Sequence, residues 1–381
     1  MLLENVSLET NTSFLYPGAA HLLRFSNWYK QYHGYLATAV CICGIIANIL
    51  NIAVLTRKNM VSSINCILTG LAVSDGLTMV AYLPFALWFY VLNGTEGNSS
   101  RNSQTAIRFM LFYAVSSVLV HTTSIWLTVT LAIFRFIFIR YPHQTQLCSL
   151  TRAKVSVLLT YIGAFVVCIP NLATLTTLEY EPGIWIVDFR LKTRLQKFLH
   201  DFNFWIQAIL VKLVPCVGLT ILSCLLVHLM RAANRRSNVL RGTMKRAPQA
   251  IDGPSPKSAK RGPRIVDHSP TVLHHLPRPT QKADRARKQD RKTQKTTVML
   301  LTIVLLFLLT EFPQGVLSSL NGLLPDFVSE VYLPLGDFID ILTLVNNGIN
   351  FLLYCTMSKQ FRDTFLAIVT SFRCSLLVGT A

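Results

Sequence analysis

Apolar residues in this chain gather into seven long runs, near residues 34–56, 64–92, 106–139, 152–176, 203–230, 297–321 and 332–357. Each holds about 20 or more mainly apolar positions, enough for an α-helix to cross a hydrocarbon core of ~30 Å. The pattern predicts an all-α membrane protein built as a seven-transmembrane helix bundle. A soluble helical bundle is set aside, because seven such runs leave too little polar face for water.

The polar stretches divide the chain further. Residues 1–33 read as an extracellular tail, 34–357 as the bundle, and 358–381 as an amphipathic helix with a C-tail. Within 358–372, Phe361, Phe365, Ile368 and Phe372 recur at helical spacing opposite Lys359, Arg362 and Asp363. This predicts a short helix lying on the inner leaflet. Cys374 follows it directly and is a candidate for palmitoylation. Between the fifth and sixth runs, residues 231–296 carry 18 Lys/Arg against four Asp/Glu, with many Pro and Ser. That composition cannot bury a core, so the middle of this segment is expected to be disordered. Its ends, 231–246 and 282–296, are free of Pro and rich in helix formers, and are expected to extend the fifth and sixth helices into the cytoplasm.

Composition sharpens the membrane assignment. Of 381 residues, 51% are hydrophobic and 14% charged, against about 25% charged in an ordinary soluble domain. With the N-terminus outside, 27 of the 36 Lys and Arg fall on the cytoplasmic side, as the retention of basic residues there requires. All four glycan acceptor sequons, at Asn5, Asn11, Asn93 and Asn98, then fall outside, where glycosylation takes place. Residues 1–33 contain no apolar core of a signal peptide, which leaves insertion to the first span. The net charge of +18 implies attraction of the cytoplasmic face to the anionic lipid of the bilayer. Nucleic acid is not an expected partner of a chain anchored at seven places. None of the nine cysteines lies in an expected extracellular loop, so hairpin pairing and packing, rather than a disulfide, are expected to hold the outer face.

Ionisable and amide side chains inside a membrane are costly and call for a reason. The spans contain Asn48, Asp75, Ser124, Glu311, Asp340, Asn346, Asn347 and Asn350. At 100° per residue, Ser117, Ser124 and Arg135 share one face of the third span, and Asp340, Asn347 and Tyr354 one face of the seventh. Both spans therefore carry an inward polar stripe. Asn48, Asp75, Ser124, Asn346 and Asn350 form a candidate mid-membrane network. Its oxygens suit a small hard cation such as Na⁺, with a water-filled hydrogen-bond network around a protonated Asp75 as the alternative.

Asn48 in GIIANILN, Asp75 closing LAVSD, Arg135 at the inner end of the third span, Pro215, Pro313 and Tyr354 closing NFLLY match, in order and spacing, the rhodopsin-like G-protein-coupled receptors. The chain resembles that superfamily over residues 34–372. It departs from the usual pattern at Phe134 (usually acidic), Glu311 (usually tryptophan), Phe351 (usually proline) and Met110 (usually cysteine). With these departures, HTTSIWLTVTLAIFR, KLVPC and LLTEFPQG are similar to the invertebrate receptors for myosuppressin and FMRFamide-like peptides, a group near the sex-peptide receptor. The resemblance implies an amidated peptide ligand ending in Arg-Phe. It also implies a heterotrimeric G protein that meets Arg135 and Tyr354 at the inner mouth, arrestin as a further partner, and a place in the plasma membrane.

The ligand face is read from the outer acids. Glu179, Glu181, Asp188, Asp201, Asp326, Glu330 and Asp337 lie in or beside the outer loops, and would draw a cationic peptide. Glu311 and Asp340 sit within spans, where an unpaired carboxylate needs a proton or a cation. An arginine entering the bundle is expected to pair with one of them, its phenyl neighbour settling among Tyr82, Phe85 and Phe312. His121, Gln314 and Asp337 complete the candidate ligand set, with His121 a pocket or packing residue and not a catalyst. No nucleophile motif, phosphate loop or metal-ligand pair points to an enzyme. Two alternatives remain at this stage: a receptor of the same fold for a small molecule or odorant, and a transporter or channel, whose usual internal repeats are not evident.

Overall fold

A computed structural model of the chain describes residues 15–93, 100–141, 144–246, 279–324 and 326–378. Asn5, Asn11, Asn98, the centre of the segment between the fifth and sixth apolar runs and the side chain of Cys374 lie outside this description. The described residues hold seven helices long and apolar enough to cross a membrane. They are spans one to seven: Ala19–Leu55, Ser63–Leu92, Gln104–Arg140, Leu150–Thr174, Arg194–Leu229, Leu301–Asn321 and Val328–Met357.

Residues up to Leu226 and from Thr296 onward form one unit. Its interior is small and polar side chains as much as large apolar ones: Asn48, Asn51, Ser74, Asp75, Thr123 and Glu311 are all buried. Large apolar side chains stand on the outside, and Leu158, Leu159, Phe165 and Val166 of span four are each more than half exposed. Such a surface suits hydrocarbon and would aggregate in water. Residues 227–295 form a second unit, in which the helices Val214–Arg246 and Pro279–Asn321 run on beyond the apolar stretches, as their Pro-free composition predicts.

Span one is longer than its apolar run. The helix starts at Ala19, after Gly18 in the left-handed region, so residues 19–33 are helical where the sequence suggested only a tail. At 1.5 Å per residue its 37 residues reach about 55 Å, well past the hydrocarbon. The extension packs by aromatic rings: Phe25 stacks on Tyr29 at 5.8 Å and meets Phe338 at 6.0 Å. At the outer tip, the backbone N–H groups of Leu15 and Tyr16 both donate to the Glu330 carboxylate at 3.0 Å.

The outer face is closed by a hairpin. Strand β1, Leu175–Glu181, pairs antiparallel with strand β2, Ile184–Phe189. The turn between them takes Gly183 at φ +82°, a conformation that L side chains rarely adopt. The hairpin is tied to its surroundings through Trp185 N–H donating to the Asn102 carbonyl (2.9 Å) and Arg190 N–H donating to the Thr174 carbonyl (2.6 Å). Span five then begins with a capping box. Thr193 Oγ1 accepts from Gln196 N–H, and Gln196 Oε1 accepts from Thr193 N–H, closing two backbone donors at once. Asp201 thereby stands on a helix, with Arg194 and Lys197, and not in the loop expected from the sequence.

Three spans widen in their outer parts into π turns: Leu87–Leu92, Ile206–Leu213 and Val328–Tyr332. On the inner side the C-terminal helix Lys359–Val378 follows span seven. Phe361 is buried against Phe351 and Tyr354, and Asn59 donates to Thr364 Oγ1 at 2.8 Å.

Candidate functional site

A cavity of about 240 Å³ opens between the outer halves of spans two, three, five, six and seven. Tyr82, Tyr113, His121, Lys212, Gln314 and Asp340 stand on its wall. The π turn of span five carries Lys212, whose Cβ lies 3.3 Å from where a Cβ on Gly315 would be. Gly315 therefore lets spans five and six approach at this level. Lys212 is close enough to Glu311 and Asp340 to feel both charges.

Two polar chains converge on the cavity. Across spans three and six, His121 Nε2 meets a Glu311 carboxylate oxygen at 3.2 Å. Across spans one, two and seven, His33 Nε2 is 2.8 Å from the Tyr82 hydroxyl, which reaches Asp340 Oδ2 at 3.4 Å. Above them Tyr90 donates to Asp337 Oδ1 at 2.7 Å. The rings form a continuous wall: Phe85 stacks on Tyr113 at 4.3 Å, and Tyr82 meets both edge-on.

The residues singled out from the sequence divide here. Asp340, Tyr82, His121 and Gln314 line the cavity. Phe85 lies behind its aromatic wall, and Asp337 is bonded to Tyr90 nearer the outer surface. Glu311 is 1% exposed and sits behind His121, off the lining. Phe312 is 49% exposed and is not part of the cavity wall. The cause is helical geometry: with Glu311 inward, the next residue is turned by 100°. Lys212 and His33 were missed, although Lys212, the residue that opens KLVPC, is a lone lysine within an apolar run and was a visible signal.

Below the cavity Asp75 is fully engaged. Ser124 Oγ donates to one carboxylate oxygen at 2.6 Å and Asn350 Nδ2 to the other at 3.0 Å. Asn48 Nδ2 donates to the Gly44 and Asn347 carbonyls at 3.0 and 3.1 Å, so Asn347, and not Asn346, meets Asn48. Asp75 and Ser124 offer the oxygens a hard cation takes. Asn350 presents nitrogen, and its amide would have to turn to become a ligand. Among the described residues no group of three or more His, Cys, Asp or Glu could hold a metal ion.

At the inner end Arg135 is 7% exposed, and its Nε has no partner among the described residues. Its chain neighbour Phe134 belongs, with Tyr354, to a buried apolar cluster. In the loop between spans three and four Cys148 Sγ donates to the Phe134 carbonyl at 3.5 Å. Burial pushes that thiol above its usual range, against the pull of Arg135 and Arg152. Asn93, the one sequon asparagine among the described residues, caps the end of span two.

Comparison with known proteins agrees with this layout. Residues 35–250 and 272–372 match the family described as serpentine type 7TM GPCR chemoreceptor Srw. The chain is 28% identical over 360 residues to the G-protein coupled receptor dmsr-1 of Caenorhabditis elegans, covering 89% of this chain and 68% of that one. It is 25% identical over 356 residues to the Sex peptide receptor of Drosophila melanogaster, covering 88% and 72%. To the FMRFamide receptor of the same fly it is 23% identical over 351 residues, covering 90% and 54%.

Proposed function

Since the chain belongs to the serpentine seven-transmembrane G-protein-coupled receptor family Srw, a family of multi-pass membrane proteins, we propose that its ligand is an amidated, FMRFamide-like or myosuppressin-like peptide ending in Arg-Phe. The peptide's C-terminal end enters the outer cavity, and its arginine pairs with Asp340. The observation that carries this is Asp340 itself, a carboxylate on the cavity wall whose one polar contact at hydrogen-bond distance among the described residues is the long one from Tyr82. The aromatic wall of Tyr82 and Tyr113, backed by Phe85, provides a place for a phenyl ring. The names of the relatives, which include an FMRFamide receptor and a Sex peptide receptor, support the choice of peptide over odorant. The cavity volume of about 240 Å³ suits one or two residues of a peptide end, below the ~300–1,000 Å³ of sites that enclose a whole drug-sized ligand.

Family membership replaces the transporter and channel alternatives, and the relatives are receptors and not enzymes. The output is a heterotrimeric G protein at Arg135 and Tyr354, reached by a shift between two packings of the bundle, with arrestin as a second cytoplasmic partner. The N-terminus faces outward at the plasma membrane, in accord with the distribution of Lys, Arg and sequons. Na⁺ at Asp75 and Ser124 is an alternative state of the network in which the Asn350 amide is turned. Glycosylation at the four outer sequons and palmitoylation at Cys374 belong to the same topology. The test is G-protein activation in cells expressing the chain, across a panel of synthetic amidated peptides. Activation by Arg-Phe-amide ends is expected, and silence toward all of them with response to a small odorant overturns the assignment.

A further inference from the structure

His33 is the most enclosed imidazole in the described chain, with no exposure at all, and its link to the cavity wall is the contact with Tyr82. From span one it faces Tyr29 Oη at 3.5 Å through Nδ1 and Tyr82 Oη at 2.8 Å through Nε2. The Tyr90 ring stands edge-on to it at 4.8 Å. Asp337 and Asp340 of span seven are the charged groups nearby, each already met by a tyrosine hydroxyl.

A phenol has one proton to donate, and a neutral imidazole has one donor and one acceptor nitrogen. If Tyr82 spends its proton on Asp340, its oxygen is an acceptor toward His33, so Nε2 must carry the imidazole proton and Nδ1 accepts from Tyr29. All donations then run one way, from Tyr29 through His33 and Tyr82 to the carboxylate. With the proton on Nδ1 the direction reverses. Tyr82 donates to His33, and Asp340 loses that donor. The two tautomers therefore correspond to a capped and an uncapped Asp340, without any change of net charge.

We propose that His33, held by Tyr29 and Tyr82 out of reach of any ligand, is a positioning residue that sets through the Tyr82 hydroxyl whether Asp340 is capped or open to a ligand cation. This rests on Asp340 as the cation anchor of the preceding subsection. Gly34, beside it, makes the arrangement possible: a Cβ there would fall 2.5 Å from Tyr90 Cβ and 3.3 Å from its backbone carbon. Only glycine lets span one close on span two at this level.

Two experiments separate this proposal from the ligand assignment. In the full chain with ¹⁵N-labelled histidine in bilayers, the His33 signal is found by its loss in His33→Phe. It is expected as the Nε2–H tautomer in the parent, and as Nδ1–H in Asp340→Leu, where Tyr82 keeps only His33 as acceptor. An unchanged tautomer in Asp340→Leu, or Nδ1–H in the parent, overturns the proposal whatever the ligand is. In cells, Phe-Met-Arg-Phe-amide is compared with its citrulline analogue. His33→Phe is expected to shrink the preference for arginine about tenfold, and to add nothing on an Asp340→Asn background. Equal weakening of both peptides, or full additivity, shows a merely structural His33 and also overturns it. If the parent answers neither peptide, the ligand assignment fails, and the tautomer measurement alone decides the role of His33.

Discussion

The Nε2 of His121 lies 3.2 Å from the Glu311 carboxylate, joining spans three and six through an acid that is 1% exposed. Removing one member of such a pair strands the other, whereas removing both is far milder. His121→Leu is therefore expected to destabilise the receptor by about 3–5 kcal/mol, and His121→Leu with Glu311→Leu by clearly less. Thermal inactivation of the purified variants measures this. A double variant weaker than the single one would mean that Lys212 or water, and not His121, keeps the acid in place.

For recognition, Asp340→Asn is expected to weaken the response to an Arg-containing peptide at least ~30-fold, the scale of a lost desolvated pair. A citrulline peptide should be weak on the parent and lose little more on this variant. Glu311→Gln should leave the arginine preference intact, because Glu311 stands behind His121. Dose–response curves at matched surface expression check both, and a normal response of Asp340→Asn removes the cationic-ligand argument.

At the inner mouth, Arg135→Ala is expected to abolish G-protein activation while ligand binding persists, since the arginine lies far from the cavity. Deleting residues 250–280 should matter much less. Parallel binding and activation assays distinguish these outcomes. A silent deletion variant that still reaches the surface would make that segment part of the coupling surface.

Outside, the β1–β2 hairpin and its bonds to Asn102 and Thr174 are expected to hold the loop without sulfur chemistry. A membrane-impermeant reductant should therefore leave ligand affinity unchanged, as radioligand binding before and after treatment would register. Loss of affinity would place a bridged cysteine on the outer face.

The bundle was legible in the sequence because membrane crossing imposes length and composition together, and few other folds tolerate seven such runs. The ends were not legible, since residues 19–33 are too polar to read as span, yet the aromatic contacts of Phe25 and Tyr29 extend the helix. Asp75, Ser124 and Asn350 were brought together as expected, because three intramembrane polar groups have few other ways to be satisfied. Phe312 was expected beside the ligand's phenyl ring, but it follows Glu311 directly, and on a helix the next residue is turned by 100° to another face. His33 escaped notice because it sits at the polar edge of the first apolar run, where an imidazole needs no explanation until its neighbours are known.

The π turns at Leu87–Leu92, Ile206–Leu213 and Val328–Tyr332 put one extra residue into a turn of three of the helices around the cavity. Each offsets the register of the helix outside it from the register inside it. Evolution can thus insert or delete a single residue there and rotate the outer recognition surface by ~100°, while the inner stretch that carries Pro215 or Asn350 stays in phase.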